Sequence, residues 1–373
     1  MTAGPVTGAW RIGDPPGRRK FVTGPGALAL EAGGVLPAFT LAYETWGTLN
    51  SDASNAVLVE HALTGDSHAA GPLVPGHPSA GWWDGLIGPG KALDTDEFFV
   101  VVPNVLGGCQ GSTGPSSPDP DGTPWGSRFP VVTVRDQVAS EAVLADHLGI
   151  TRWAAVVGGS MGGMRALEWA VTFPSRVASV LVLASTARAS AEQIAWAAPQ
   201  LHAIRSDPFF HGGDYYSAPA GPFRGLGIAR RIAHVTYRSE PELAQRFGRS
   251  YQGDEDPLRR GRFAVESYLD HHAEKLAGRF DANSYLVLTE SMNTHDVGRD
   301  RGGVAAALGR VTARAVIGGV DSDRLYPLYQ SAELAEGIPG VSEASVVSSP
   351  YGHDSFLIET GQIASLAKAL LGR

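Results

Sequence analysis

The stretch Gly158-Gly159-Ser160-Met161-Gly162-Gly163 follows the apolar run Trp-Ala-Ala-Val-Val at 153–157 and precedes an alanine-rich helical stretch over 164–173. The order is strand, sharp turn, helix. In so tight a turn the serine is held in strained backbone, and only very small residues two before and two after it let strand and helix approach. Gly158 and Gly162 meet that need. In this context the G-x-S-x-G pattern marks Ser160 as a candidate nucleophile, although the same residues also read as a glycine-rich loop whose serine caps a helix.

Working outward, residues 38–46 and 56–63 are β-rich runs separated by Gly47, Asn50, Ser51 and Asn55. Residues 98–105 form a further apolar run. Val138, Ala142, Val143, Leu144 and Leu148 lie on one face of a helix over 134–148, ended by Gly149. Beyond the serine turn, 177–184 is another β-branched run, so the pattern is β-α-β-α-β and predicts a mostly parallel sheet with helices on both faces. From 187 to 297 the texture changes to helical stretches broken by Pro and Gly, with the aromatic pairs Phe209-Phe210 and Tyr215-Tyr216. This segment is expected to be an inserted helical lid. The sheet resumes at 313–319, followed by a helix at 328–336, a strand at 344–348 and a final helix at 355–371. The expected division is a core of 1–186 and 298–373 with the lid at 187–297.

Of the 373 residues 43% are hydrophobic and 18% charged, a globular balance. The net charge of -8 comes without a basic stripe, which argues against a nucleic-acid partner. The single cysteine, Cys109, excludes an intrachain disulfide and fits a reducing compartment. Residues 1–20, rich in Gly, Pro and Arg, read as a flexible start without the apolar segment of a signal peptide or membrane span. A cytoplasmic protein with no membrane partner is expected.

Two loops at strand ends carry polar residues. His61-Ala62-Leu63-Thr64-Gly65-Asp66-Ser67-His68 lies where open α/β sheets place ligands. Its bland reading is a connecting turn with two surface histidines; His61 and His68 lack further ligand spacing, so no metal is expected. Gly107-Gly108-Cys109-Gln110-Gly111-Ser112-Thr113-Gly114-Pro115 lacks the Gly-Lys-Ser/Thr ending of a nucleotide-binding loop, and Cys109 reads as a small buried hydrophobe.

A serine hydroxyl needs a histidine to take its proton and an acid to orient that histidine. In the α/β-hydrolase arrangement the chain order is serine, acid, histidine. Asp321 and Asp323 follow the strand ending at Gly319, and His353 follows the strand ending near Ser348. Of eleven histidines only His353 combines a post-strand loop, a flanking glycine and a following helix, whereas His271 and His272 sit in a charged helical stretch and read as solvated. Spacing leaves the choice between Asp321 and Asp323 open. The template takes one oxyanion donor from the residue after the nucleophile, Met161, and another from an earlier loop, where Leu63 is placed for it.

The chain resembles the homoserine O-acetyltransferases of methionine biosynthesis, α/β-hydrolase-fold enzymes. The resemblance runs through Leu63-Thr64-Gly65-Asp66-Ser67-His68, the loop from Gly107 to Ser117, Phe129-Pro130, Thr133-Val134-Arg135-Asp136 and the serine turn. It continues through Ile232-Ala233-His234-Val235-Thr236-Tyr237-Arg238-Ser239, Val265-Glu266-Ser267-Tyr268-Leu269 and Arg279-Phe280-Asp281-Ala282-Asn283-Ser284-Tyr285. It implies Ser160 as nucleophile, Asp323 as acid and His353 as base. It further implies that Arg230 and Asp354 hold the amino-acid substrate, with Tyr237 and Thr64 assisting; without it Arg230 reads as a surface charge and Asp354 as a helix cap. Also implied are acetyl-CoA as cosubstrate with no permanently bound cofactor, L-homoserine as acceptor, and a homodimer through the lids. Succinyl-CoA as donor, serine as acceptor and a simple esterase are the rival readings.

Overall fold

Runs of Val, Leu and Ala long enough to be buried on both faces build the centre of the molecule. The structure, a computed structural model, describes residues 6–372. The strands of its main sheet are β1 (Lys20–Thr23), β2 (Thr40–Trp46), β3 (Ala56–Glu60), β4 (Phe99–Pro103), β5 (Ala155–Gly159), β6 (Ser179–Leu183), β7 (Arg314–Val320) and β8 (Ser345–Val347). They form one sheet in the order β1-β2-β4-β3-β5-β6-β7-β8. The two contacts of β2 are antiparallel, and every pair from β4 to β8 is parallel. All residues of β3, β5 and β6 are buried.

Alternation along the strands divides the core into two layers. Leu58, Val156, Val180 and Val182 pack with α1 (Val134–His147) and α2 (Met161–Thr172), including Val138, Leu167 and Trp169. Val57, Val157, Leu181 and Leu183 face the opposite layer, where Ile363, Ala367 and Leu370 of α11 (Thr360–Leu371) cover them. Each such Val or Leu side chain, fully buried, contributes about 1.5–3 kcal/mol. Through this core runs a buried ion cluster: Arg165 of α2 lies 3.1 Å from Glu60 and 2.9 Å from Glu141, and Trp169 Nε1 donates to Glu141. The same guanidinium donates to the His61 carbonyl at 2.8 Å, tying the loop after β3 to the helix that follows the serine.

Between β6 and β7 the chain leaves the sheet for α3 (Ala191–Arg205), α4 (Phe223–Tyr237), α5 (Glu240–Phe247), α6 (Ala264–Ala277) and α7 (Ala282–Asn293), then returns through α8 (Val304–Leu308). At the neck of this insertion Ala189 N–H donates to the His295 carbonyl and Val297 N–H to the Ala187 carbonyl, each at 3.0 Å. Leu201, Leu226, Tyr285 and Leu288 of its helices pack with Leu63, Val105 and Met161 of the core. α9 (Leu328–Gly337) covers β7.

Two expectations change. The final helix is two, α10 (Ser355–Ile358) and α11, separated at Glu359, whose ψ of 55° is not helical. The break lets Phe356 turn in beneath the serine strand, where a Cβ on Gly159 would come within 2.5 Å of its ring, while α11 lies along the sheet. Of the flexible start, residues 1–5 fall outside the described residues, but the next stretch is docked. Gly8 N–H donates to the Phe280 carbonyl, Trp10 N–H to the Cys109 carbonyl and Thr7 Oγ1 to Asp281. β1 then adds an antiparallel edge strand.

Candidate active site

Ser160 stands between the end of β5 and the first residue of α2 with φ 57° and ψ -124°, a strained conformation for a non-glycine residue. The crowding that demands glycine is visible on both sides. A Cβ on Gly158 would lie 2.1 Å from the Gly162 carbonyl, and one on Gly162 would lie 2.1 Å from the Glu60 carbonyl. Strand and helix thus meet backbone to backbone, with the serine at the apex.

His353 Nε2 lies 2.8 Å from Ser160 Oγ, and its Nδ1 lies 2.6 Å from Asp323 Oδ2. All three are at least 95% buried. The other oxygen of Asp323 accepts from the Leu325 and Tyr326 N–H groups, so the acid is fixed at both ends. Asp321 is used elsewhere: it accepts from Ser348 Oγ and Ser349 N–H at the end of β8. Burial opposes charging of His353, but the charge and hydrogen bond of Asp323, with Asp354 adding, outweigh it and raise its pKa above the ordinary imidazole value. Tyr326 stacks on the imidazole at 4.9 Å, and Phe356 meets it edge-on at 5.5 Å. Neither aromatic is evident as a site residue in the sequence; Tyr326 stands only three residues after the acid.

Leu63 and Met161 both pack in the cluster joining core and insertion, and among the described residues neither N–H has a hydrogen-bond partner. Met161 is the first residue of its helix, where the N–H is free by geometry. The Leu63 loop is shaped by His61, whose Nδ1 lies 2.8 Å from the Ala62 carbonyl and whose Nε2 accepts from Val105 N–H.

A cavity of about 240 Å3 is lined among others by Thr64, Asp66, Arg230, Arg238, Arg279 and Asp354, the residue after His353. Arg230, on α4, has Nε and Nη1 shut off from solvent with no hydrogen-bond partner, and its guanidinium lies 5.4 Å from the Tyr237 ring centroid. Asp354 pairs with Arg238 at 3.2 Å; burial raises its pKa against the pull of Arg238, Arg230 and His353. The Thr64 carbonyl accepts from Arg279 at 2.7 Å. Tyr237 lies 5.8 Å from the His353 ring. Arg238 is a residue that sequence reasoning passed over, although it lies inside one of the quoted motifs. A larger cavity of about 510 Å3, between Trp10, Phe21 and the loop at 109–124, includes none of these groups.

Three readings of histidines and cysteine can now be settled. His61 and His68, expected at the surface, are 2% and 1% exposed. They do not pair: His68 Nδ1 bonds Glu44 and its Nε2 the Pro72 carbonyl. Glu44, His68 and His77 are the one group of three possible ligands that converge among the described residues, yet His77 Nε2 already accepts from Arg18 N–H. His271 is exposed as expected, whereas His272 is half-buried and lines the cavity with its ring 3.8 Å from that of His234. Cys109 is buried, and burial pushes its thiol pKa up, away from thiolate chemistry.

Sheet order, serine turn and hydrogen-bonded triad define an enzyme of the alpha/beta hydrolase fold. The profile described by that name matches residues 55–360. The homoserine O-acetyltransferase of Thermobifida fusca (strain YX) is 67% identical over 370 residues, covering 99% of this chain and 98% of the relative. The crystal structure of homoserine O-acetyltransferase from Bacillus anthracis superposes with a TM-score of 0.86 at 28% identity, over 95% of this chain and 98% of the other. Esterase E22 matches as well, with a TM-score of 0.86 at 28% identity over 95% and 100% of the two chains. The chain belongs to the homoserine O-acetyltransferase family.

Proposed function

We propose that the protein transfers the acetyl group of acetyl-CoA to the hydroxyl of L-homoserine through an acetyl-Ser160 intermediate. The observation that carries this reading is the Ser160–His353–Asp323 hydrogen-bonded chain together with a cavity whose wall holds Arg230, with unpartnered guanidinium nitrogens, and Asp354, the residue after His353. His353 Nε2 takes the Ser160 proton as Oγ attacks the thioester carbonyl, and the oxyanion is held by the Leu63 and Met161 N–H groups. The C–S bond breaks, the sulfur leaves with the proton from His353, and CoA departs. L-Homoserine then enters, its carboxylate on Arg230 and its ammonium on Asp354, with Tyr237 and Thr64 closing the site. His353 deprotonates its hydroxyl, which attacks the acetyl carbonyl; the bond to Ser160 Oγ breaks, Oγ takes the proton back from His353, and O-acetyl-L-homoserine is released.

Water competes at the second step. The helices of 187–297 act as a lid over the serine, and the two ion pairs raise the effective concentration of the alcohol. The likeness to esterase E22 keeps hydrolysis as the second reading. Thiol release from acetyl-CoA, with and without L-homoserine and with succinyl-CoA and L-serine alongside, separates them. Homoserine-dependent release specific to acetyl-CoA supports the transferase; equal release without acceptor overturns it in favour of a hydrolase. Among the described residues no helix is long and apolar enough to cross a membrane. Phe209, Tyr251 and Leu258, exposed on the insertion, support the homodimer through the lids; a monomer at micromolar concentration in analytical ultracentrifugation would count against it.

A further inference from the structure

The two amides assigned to the oxyanion are held by different means. Met161 N–H is fixed by the first turn of α2. Leu63 N–H stands in the loop after β3, where neither helix nor strand sets its direction, so its placement has to come from side chains. The loop rests on α2. A Cβ on Gly162 would lie 3.0 Å from the His61 carbonyl oxygen, which accepts from Arg165 at 2.8 Å. Glu60 and Glu141, at 3.1 and 2.9 Å, hold that guanidinium in turn.

His61 then commits both ring nitrogens to the backbone. Val105 N–H can only donate, so Nε2, 3.1 Å away, is the unprotonated nitrogen and the ring proton sits on Nδ1. From there it is donated to the Ala62 carbonyl at 2.8 Å. The same carbonyl accepts from Gly65 N–H at 2.9 Å. Ala62 C=O and Leu63 N–H belong to one planar trans peptide unit and point to opposite sides of the chain. Two hydrogen bonds on the carbonyl therefore set the direction of the amide. Gly65 lets the loop fold back over the imidazole, since a Cβ there would lie 2.9 Å from His61 Cβ and 3.2 Å from Nδ1. The ring is buried, and burial first, then the Arg165 charge, lowers its pKa to about 3, so it stays neutral with this tautomer at neutral pH. With both nitrogens engaged, it has none left for proton transfer.

We propose that His61 is the positioning residue of the oxyanion hole. By bridging the Ala62 carbonyl to Val105 N–H it ties the loop after β3 to the loop after β4, and it aims Leu63 N–H at the oxygen that becomes negative when Ser160 attacks. The proposal rests on the acetyl-Ser160 reading.

The test compares His61→Ala, His61→Asn and His61→Gln with the parent enzyme, using acetyl-CoA, CoA and a trifluoromethyl ketone thioether of CoA. Ser160 Oγ bonds to the ketone carbon, His353 takes the proton and the ketone oxygen becomes an oxyanion, whereas CoA makes no such demand. Losing one oxyanion donor costs about 10²- to 10³-fold in kcat. Alanine misaims Leu63 N–H without deleting it, so a loss of about 10- to 100-fold in kcat for acylation is expected. Affinity for the ketone should fall in parallel, while affinity for CoA and the pH midpoint set by His353 stay at the parent values. Asparagine places an amide N–H where Nδ1 stood and should recover most of the loss; glutamine, whose amide reaches the Nε2 position, should not. If the alanine variant does not fold, the comparison of asparagine with glutamine decides. Ketone and CoA affinities that fall together, equal losses with asparagine and glutamine, or parental kcat with alanine overturn the positioning role and leave the acyl-serine reading in place. A parent enzyme that binds the ketone no more tightly than CoA overturns that reading, and the role of His61 with it.

Discussion

The carboxyl end of the sheet and the cavity wall beneath the inserted helices treat buried polar groups in opposite ways. At the carboxyl ends of the strands every member of the triad is partnered: Ser160 to His353, His353 to Asp323, and Asp323 to two backbone N–H groups. In the wall, Arg230 keeps two nitrogens and His234 its Nδ1 without partners although they are closed to solvent. The two histidines show the consequence. His353 and His234 are 3% and 2% exposed, yet the first is raised by Asp323 and the second is lowered to about 2 by burial and Arg230. A buried group without a partner is costly. The serine–histidine–aspartate chain is thus hydrogen-bonded throughout, while the wall keeps unmet hydrogen-bonding capacity that a ligand can satisfy.

The strongest way to break this contrast is Ser160→Ala. It should lower thiol release from acetyl-CoA by about 10⁴- to 10⁶-fold, with the circular-dichroism spectrum unchanged; near-normal turnover would remove the triad from the chemistry. Asp323→Asn should cost about 10³- to 10⁴-fold in kcat, whereas Asp321→Asn, whose carboxylate bonds Ser348 and Ser349, should stay within about tenfold. Comparable losses at the two positions would mean that proximity to His353 is not what matters. Arg230→Ala should raise the KM for L-homoserine by about 10- to 100-fold while acetylation of Ser160 by S-acetyl-N-acetylcysteamine persists; loss of acetylation would place Arg230 with the triad rather than the wall. The smallest effect is in the pH profile. The base must be neutral, and its pKa is raised, so kcat/KM for acylation should fall about tenfold per pH unit below a midpoint above the ordinary imidazole value of about 6.5. A midpoint below that value would mean that Asp323 does not dominate the environment of His353.

The serine turn was legible because its requirement is local. Glycines two residues either side of Ser160 answer a backbone clash that lies within a few residues or against the neighbouring strand. The acid was not legible from spacing, since Asp321 and Asp323 both follow β7. What separates them is which one extends the pairing with β8: Asp321 N–H bonds the Val347 carbonyl and its carboxylate turns to Ser348 and Ser349, leaving Asp323 for His353. Arg230 and Asp354 are 124 residues apart in sequence and meet only because α4 crosses over the loop after β8, so the resemblance, not the residues themselves, singled them out. The docking of residues 7–10 was invisible for another reason: it rests largely on main-chain hydrogen bonds, which any composition can make.

The most direct measurement is mass spectrometry of the enzyme mixed with acetyl-CoA in the absence of acceptor, followed by a chase with L-homoserine. The expected result is one acetyl group on the peptide carrying Ser160, discharged faster by L-homoserine than by water. No adduct on that peptide, or discharge at the same rate with and without L-homoserine, would contradict a serine-borne acetyl group transferred to an amino acid held in the cavity.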